Sequence, residues 1–156
     1  MILREKNKIE MWLNYYQIVD YELIEDQEYG YIVNVNSNVN LSHKKINQIK
    51  VKFNKVKGNF YCNHNELNSL EGCPNIINGD FSCSYNNLKS LKGCPEIING
   101  YFYCSCNFLD YESLQYLPKV VKLNDIDFYD NQKLNNLQYI YSFDKLQEHI
   151  TEFIDT

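Results

Sequence analysis

The chain has 156 residues, 44% hydrophobic and 22% charged, with a net charge of −5. That composition argues against a disordered chain, and the length suits one domain with a continuous core. No apolar run approaches the roughly 20 residues that span a bilayer, which argues against a membrane-spanning helix.

In chain order, the first predicted element is a helix on which Ile9, Trp12, Leu13 and Tyr16 share one face. Met1 to Trp12 mixes charged and apolar residues and lacks the uninterrupted apolar centre of a signal peptide. The expected location is therefore the cytoplasm. An acidic stretch from Asp20 to Glu28 follows. Residues 37 to 58 then carry Lys44, Lys45, Lys50, Lys52, Lys55 and Lys57 with no acid, so these six positive charges leave −11 to the rest of the chain. Such a block is either a phosphate-contacting patch or the solvated rim of one coil. Much of the remaining surface is acidic, and Arg4 is the only arginine. The solvated rim is preferred for that reason.

A 21-residue period dominates the middle of the chain. It relates Gly58, Gly79 and Gly100; Phe60, Phe81 and Phe102; Cys62, Cys83 and Cys104; Asn65, Asn86 and Asn107; and Leu67, Leu88 and Leu109. The unit reads G-x-F-x-C-x-x-N-x-L-x-S-L-x-G-C-P. Backwards, the period matches Ser37 to Gly58, Val39 to Phe60, Leu41 to Cys62, Ile46 to Leu67, Ile49 to Leu70 and Val56 to Ile77. Forwards, it resumes after an insertion near Tyr116, Leu117 and Pro118, with Ile126, Phe128, Asn131, Leu134 and Leu137 in the apolar and Asn slots. About five coils result.

Each slot has a physical reading. F-x-C alternates with period two, so it predicts a short strand with Phe and Cys facing a core. The Asn can close a sharp corner by bonding open backbone groups of neighbouring coils. G-C-P predicts a turn on the opposite side. One coil cannot bury its apolar face alone; stacking does it. Phe143, Leu146, Ile150, Phe153 and Ile154 form a helical stripe after Ser142, a candidate N-cap. The fold expected is a single-domain, leucine-rich-repeat-like solenoid with a parallel β-sheet. Residues 1–36 form an N-terminal helical and strand cap, 37–137 the repeats, and 138–156 a C-terminal helical cap.

The six cysteines admit disulfide, zinc or core readings. Cys62, Cys83 and Cys104 share their slot with Leu41 and Phe128, which suits a core position and not a ligand. Cys106, beside Asn107, is the one expected to be partly exposed. His43 and His64 share a slot, as metal or acid–base partners would, but the slot continues as Tyr85, Cys106 and Asp130, so a solvated or partner-facing row is preferred. No G-x-S-x-G elbow, phosphate-binding glycine loop or H-E-x-x-H occurs. No catalytic residue, metal or cofactor is assigned.

The candidate binding surface is the outward face of the F-x-C-x strands. It comprises Tyr61, Asn63, Ser82, Ser84, Tyr85, Tyr103, Ser105, Asp127 and Tyr129, with Asn40, Ser42, His43, His64, Cys106 and Asp130 beside them. Tyr, Ser and Asn supply rigid contact area and adaptable hydrogen bonding, as in antibody paratopes. The plain alternative is that strand faces favour Tyr and Ser.

Between about Tyr31 and Val121, V-N-L-S at Val39 to Ser42, F-N-K-V-K-G-N-F-Y-C at Phe53 to Cys62 and the L-x-S-L-x-G-C-P units resemble short leucine-rich-repeat-like proteins of phages and low-GC bacteria. F-x-C-x-x-N-x-L is similar to the L-x-L-x-x-N-x-L signature of leucine-rich repeats. Lys44, in an Asn slot, and the insertion before Pro118 depart from the pattern. The absence of alanine and the wealth of Asn, Lys, Ile and Tyr agree with a low-GC source. The resemblance implies a curved parallel-sheet solenoid that recognises protein. A non-catalytic module docking a host or phage protein is the leading expectation. By analogy it extends to anti-CRISPR-type inhibition of a host defence complex by occlusion. A nucleic-acid-binding protein using the Lys44 to Lys57 block is the alternative.

Overall fold

The computed structural model describes residues 1–121 and 126–134, together with Glu148. Over these the chain is a β-solenoid of about four turns. α1 (Lys6–Tyr15) comes first, then β1 (Tyr21–Asp26) and β2 (Gly30–Val35), an antiparallel hairpin. Asp26 shapes the hairpin turn by accepting the backbone N–H groups of Glu28 and Tyr29. The following strands are β3 (Val39–Asn40), β4 (Lys52–Val56), β5 (Phe60–Tyr61), β6 (Ile76–Ile77), β7 (Phe81–Ser82), β8 (Ile97–Ile98), β9 (Phe102–Tyr103), β10 (Val120–Val121) and β11 (Ile126–Asp127). They alternate between two parallel sheets. One runs β2-β4-β6-β8-β10 with β1 at its edge, the other β3-β5-β7-β9-β11.

The 21-residue period is the pairing register. Val39 pairs with Phe60, Phe60 with Phe81, and Phe81 with Phe102. In the other sheet Val56, Ile77 and Ile98 follow one another. The step lengthens to 23 residues between Ile98 and Val121 and to 24 between Phe102 and Ile126. A 3-10 helix at Tyr111–Tyr116, started by reciprocal bonds between Asp110 and Ser113, lies in the longer coil. This is the insertion expected near Pro118.

The Ile-Ile strands correct the sequence reading, which placed only a turn opposite F-x-C. The turn is confined to the Gly-Cys-Pro corner, where Gly72 and Gly93 hold φ of +93° and +88°. β2, assigned to the N-terminal segment, pairs in parallel with β4 and so belongs to the second sheet. α1 buries Ile9 and Leu13, and its Trp12 meets Phe53 edge-on at 6.3 Å. The helical stripe from Phe143 to Ile154, and Leu137, lie outside the described residues. Among the described residues no helix is long and apolar enough to cross a membrane.

Packing explains the slots. Phe53, Phe60, Phe81, Phe102 and Phe128 are fully buried, as are Cys62, Cys83 and Cys104. Consecutive rings from Phe53 to Phe102 lie 5.2, 6.2 and 5.3 Å apart. Burial of each such ring contributes roughly 2–3 kcal/mol.

The asparagines lock coil to coil. Asn86 Nδ2 donates to the carbonyls of Cys62 and Cys83, both at 3.0 Å, and its Oδ1 accepts the Leu67 N–H at 3.0 Å. Asn107 and Asn131 repeat these bonds one and two coils on. Asn65 reaches back to the Leu41 carbonyl and accepts from Lys44 and Ile46. The residue preceding this slot is left-handed throughout: His43, His64, Tyr85, Cys106 and Asp130 have φ of 56°, 54°, 55°, 54° and 55°. For non-glycine residues that conformation costs roughly 1–2 kcal/mol each, and the adjoining Asn bonds offset it.

Candidate functional site

The outward face of β3-β5-β7-β9-β11 carries three parallel rows. Strand register aligns Asn40, Tyr61, Ser82, Tyr103 and Asp127 in the first. The second holds Ser42, Asn63, Ser84, Ser105 and Tyr129. The left-handed corner residues His43, His64, Tyr85, Cys106 and Asp130 form the third. All nine residues expected to bind a partner therefore share one face, and they fall into two groups.

The tyrosines supply the exposed area. Tyr85, Tyr103 and Tyr129 are 52%, 37% and 60% exposed, and Tyr61 is half-buried. Burial and the neighbouring Asp80 carboxylate push the Tyr61 phenol above its ordinary range. That contact anchors the ring.

The serines do not match the expectation of contact residues. Ser82, Ser84 and Ser105 are 8%, 6% and 7% exposed. Ser84 Oγ bonds Ser105 Oγ at 3.0 Å and accepts the Ser105 N–H at 3.1 Å, while Ser42 Oγ donates to Asn63 Oδ1 at 2.7 Å. Larger neighbours one coil away shelter these small side chains, and their hydroxyls serve the stack. Asp127 likewise accepts the Tyr129 N–H at 2.9 Å.

Two residues that sequence reasoning passed over adjoin the face. Tyr101 is exposed, with its ring 6.0 Å from Tyr103, and Asp80 sits beside Tyr61. Both belong to the row Asn38, Asn59, Asp80, Tyr101, in which each of the first three side chains accepts the backbone N–H of the next. The signal was available: these positions recur at 21 residues just before each Phe.

His43, His64 and Tyr85 stack face to face, with ring centroids 4.3 and 4.2 Å apart and planes within 12°. Imidazole lone pairs lie in the ring plane, so parallel rings aim them side by side and not at one point. Among the described residues no group of three His, Cys, Asp or Glu side chains is placed to hold a metal ion.

The cysteines are core. Contact with the Cys73 thiol, together with burial, pushes the Cys62 thiol well above its usual range. Burial does the same to Cys83, Cys94 and Cys104. Protonated buried thiols are poor nucleophiles and poor ligands. Cys106 is half-buried and in contact with Tyr85, whose phenol it holds above its ordinary range.

The six lysines are spread round one coil and do not form a single patch. Lys44 and Lys45 follow β3, Lys50 precedes β4, Lys52 and Lys55 lie within it, and Lys57 begins the turn towards β5. Lys52 is committed internally, donating to the Cys73 carbonyl at 2.6 Å and Asn75 Oδ1 at 2.9 Å. Burial lowers its pKa. A pocket of about 420 Å³ adjoins it, lined also by Tyr29, Glu71 and Lys92, at the Gly-Cys-Pro corner and away from the strand face.

No protein-family model, curated protein or solved structure matches this chain.

Proposed function

We propose that this protein is a non-catalytic binding module that docks another protein through the outward face of β3-β5-β7-β9-β11. The observation that carries the reading is the set of tyrosines on a rigid ladder: Tyr61, Tyr85, Tyr103 and Tyr129 share a face whose backbone is bonded coil to coil. A large amphipathic side chain with few rotatable bonds gives contact area at low entropic cost. The acidic residues Asp80, Asp127 and Asp130 beside it suit a basic partner surface. The resemblance to short leucine-rich-repeat-like proteins supports the same reading, and on it the module acts by occlusion, with a host or phage protein as partner. The spread of the lysines favours this over a nucleic-acid-binding role.

Affinity capture from the native cell tests it, comparing the wild-type chain with Tyr61→Ala/Tyr103→Ala. A partner recovered by the first bait and lost with the second supports the strand face. Equal recovery by both refutes it.

A further inference from the structure

The first row of the strand face alternates large and small: Tyr61 on β5, Ser82 on β7, Tyr103 on β9. Neighbouring strands lie about 4.8 Å apart, so the tyrosines recur about 9.6 Å along the stack. Of the regular conformations a bound segment can adopt, one shares that repeat. A polyproline II helix turns once in three residues, or about 9.3 Å. An extended strand presents the same face every ~6.8 Å, and an α-helix every ~10.5 Å, so both drift out of step.

We propose that this face binds a proline-rich segment in the polyproline II conformation, laid along the stack with a proline between Tyr61 and Tyr103 above Ser82, and with a basic residue at the β11 end. The proposal rests on the reading of the face as a protein-binding surface and names the class of segment it takes.

Three further features agree. Polyproline II has no internal hydrogen bonds, so its carbonyls are open to the phenolic O–H groups of a tyrosine-lined face, while the ring faces receive pyrrolidine. The Asp80 contact holds the Tyr61 ring as a ready wall, and Tyr101 extends the wall beside Tyr103. The face is also polar along its length. Lys44 and Lys45 are exposed just beyond β3, and Asp127 and Asp130 stand at β11, so a basic residue is drawn to one end and an acidic one to the other. From β3 to β11 is four strand steps, about 19 Å, which matches two turns or six residues of the ligand.

The probe is a fluorescein-labelled decapeptide containing two P-x-x-P turns and a single terminal arginine, titrated with the full-length protein by fluorescence polarisation. A peptide of the same composition with its prolines broken up by glycines serves as reference. Saturable binding of the first peptide, at least tenfold weaker for the reference, is expected. Ser82→Tyr, which fills the space between the tyrosines, and Tyr61→Ala/Tyr103→Ala should each weaken binding by tenfold or more. Circular dichroism should confirm that both variants fold. Asp127→Lys/Asp130→Lys should reverse the preference for an arginine-bearing over a glutamate-bearing peptide and is read independently of the notch. No saturable binding at about millimolar protein, or equal binding by wild type and the folded variants, overturns the proposal. If capture still depends on Tyr61 and Tyr103 while the peptide is ignored, the polyproline assignment fails and the strand-face reading stands. If capture is indifferent to the tyrosines, both fail.

Discussion

Replacing Asn86 by alanine is the sharpest test of how the coils hold together. Its side chain closes three bonds between adjacent coils, to the Cys62 and Cys83 carbonyls and from the Leu67 N–H, all at 3.0 Å and all buried. Alanine leaves the Leu67 N–H with no acceptor, which costs about 1–3 kcal/mol. The two carbonyls each lose a donor, adding roughly 1 kcal/mol apiece, since a carbonyl retains its second lone pair. A loss of about 3–4 kcal/mol follows, a large share of the ~5–15 kcal/mol that stabilises a domain. Asn65 provides the internal comparison. It makes similar bonds but is only half-buried, at the first coil, where Lys44 is exposed to solvent. Asn65→Ala should therefore cost less, about 1–2 kcal/mol. Urea unfolding followed by circular dichroism gives both values by linear extrapolation. A loss below ~1 kcal/mol for Asn86→Ala, or equal losses at the two sites, would refute the argument that buried amide bonds lock the stack.

Gly79→Ala should destabilise by about 1–3 kcal/mol, because a Cβ there meets Asn59 Oδ1 at 2.1 Å and the Gly58 backbone at 2.9 Å. Adding Asn59→Ala should recover part of the loss, and a single variant as stable as wild type in urea argues against the steric account. Stability should hold below about pH 9 and fall above it, since Cys62, Cys83, Cys94 and Cys104 have pKa values raised in the folded state from an ordinary 9.0. The folded chain retains protons that the unfolded chain gives up there. Urea midpoints that stay flat from pH 8 to about 10.5 would contradict this, and Cys83→Ala should flatten the slope. Lys52, with its lowered pKa, works in the opposite sense and is outnumbered. Charge reversal of Lys50, Lys55 and Lys57 should leave partner capture intact. Salt-sensitive retention on DNA or RNA that disappears in that variant would instead favour nucleic acid.

The repeat made much of the core legible. Phe60 and Cys62 could be placed inside because inward alternation recurs at the same spacing in every coil, and the Asn slot announced itself by returning with them. Other features left no such mark. His43, His64, Tyr85, Cys106 and Asp130 have no common chemistry, yet all are left-handed, because the neighbouring Asn bonds impose that corner whatever occupies it. The Ile-Ile strands escaped notice because two apolar residues make no alternation to recognise. The serines misled in another way: a strand-face position was read as an exposed one.

The order of residues alone determined the period, the stack it produces and which side chains face inward, because inward direction follows from strand alternation within a single coil. The tertiary structure alone decided how much of the outward face remains available. Exposure of Ser82 depends on Tyr61 and Tyr103, its neighbours in space but twenty-one residues away in either direction along the chain. Direction is a local property of the backbone, whereas accessible surface belongs to the assembled neighbours.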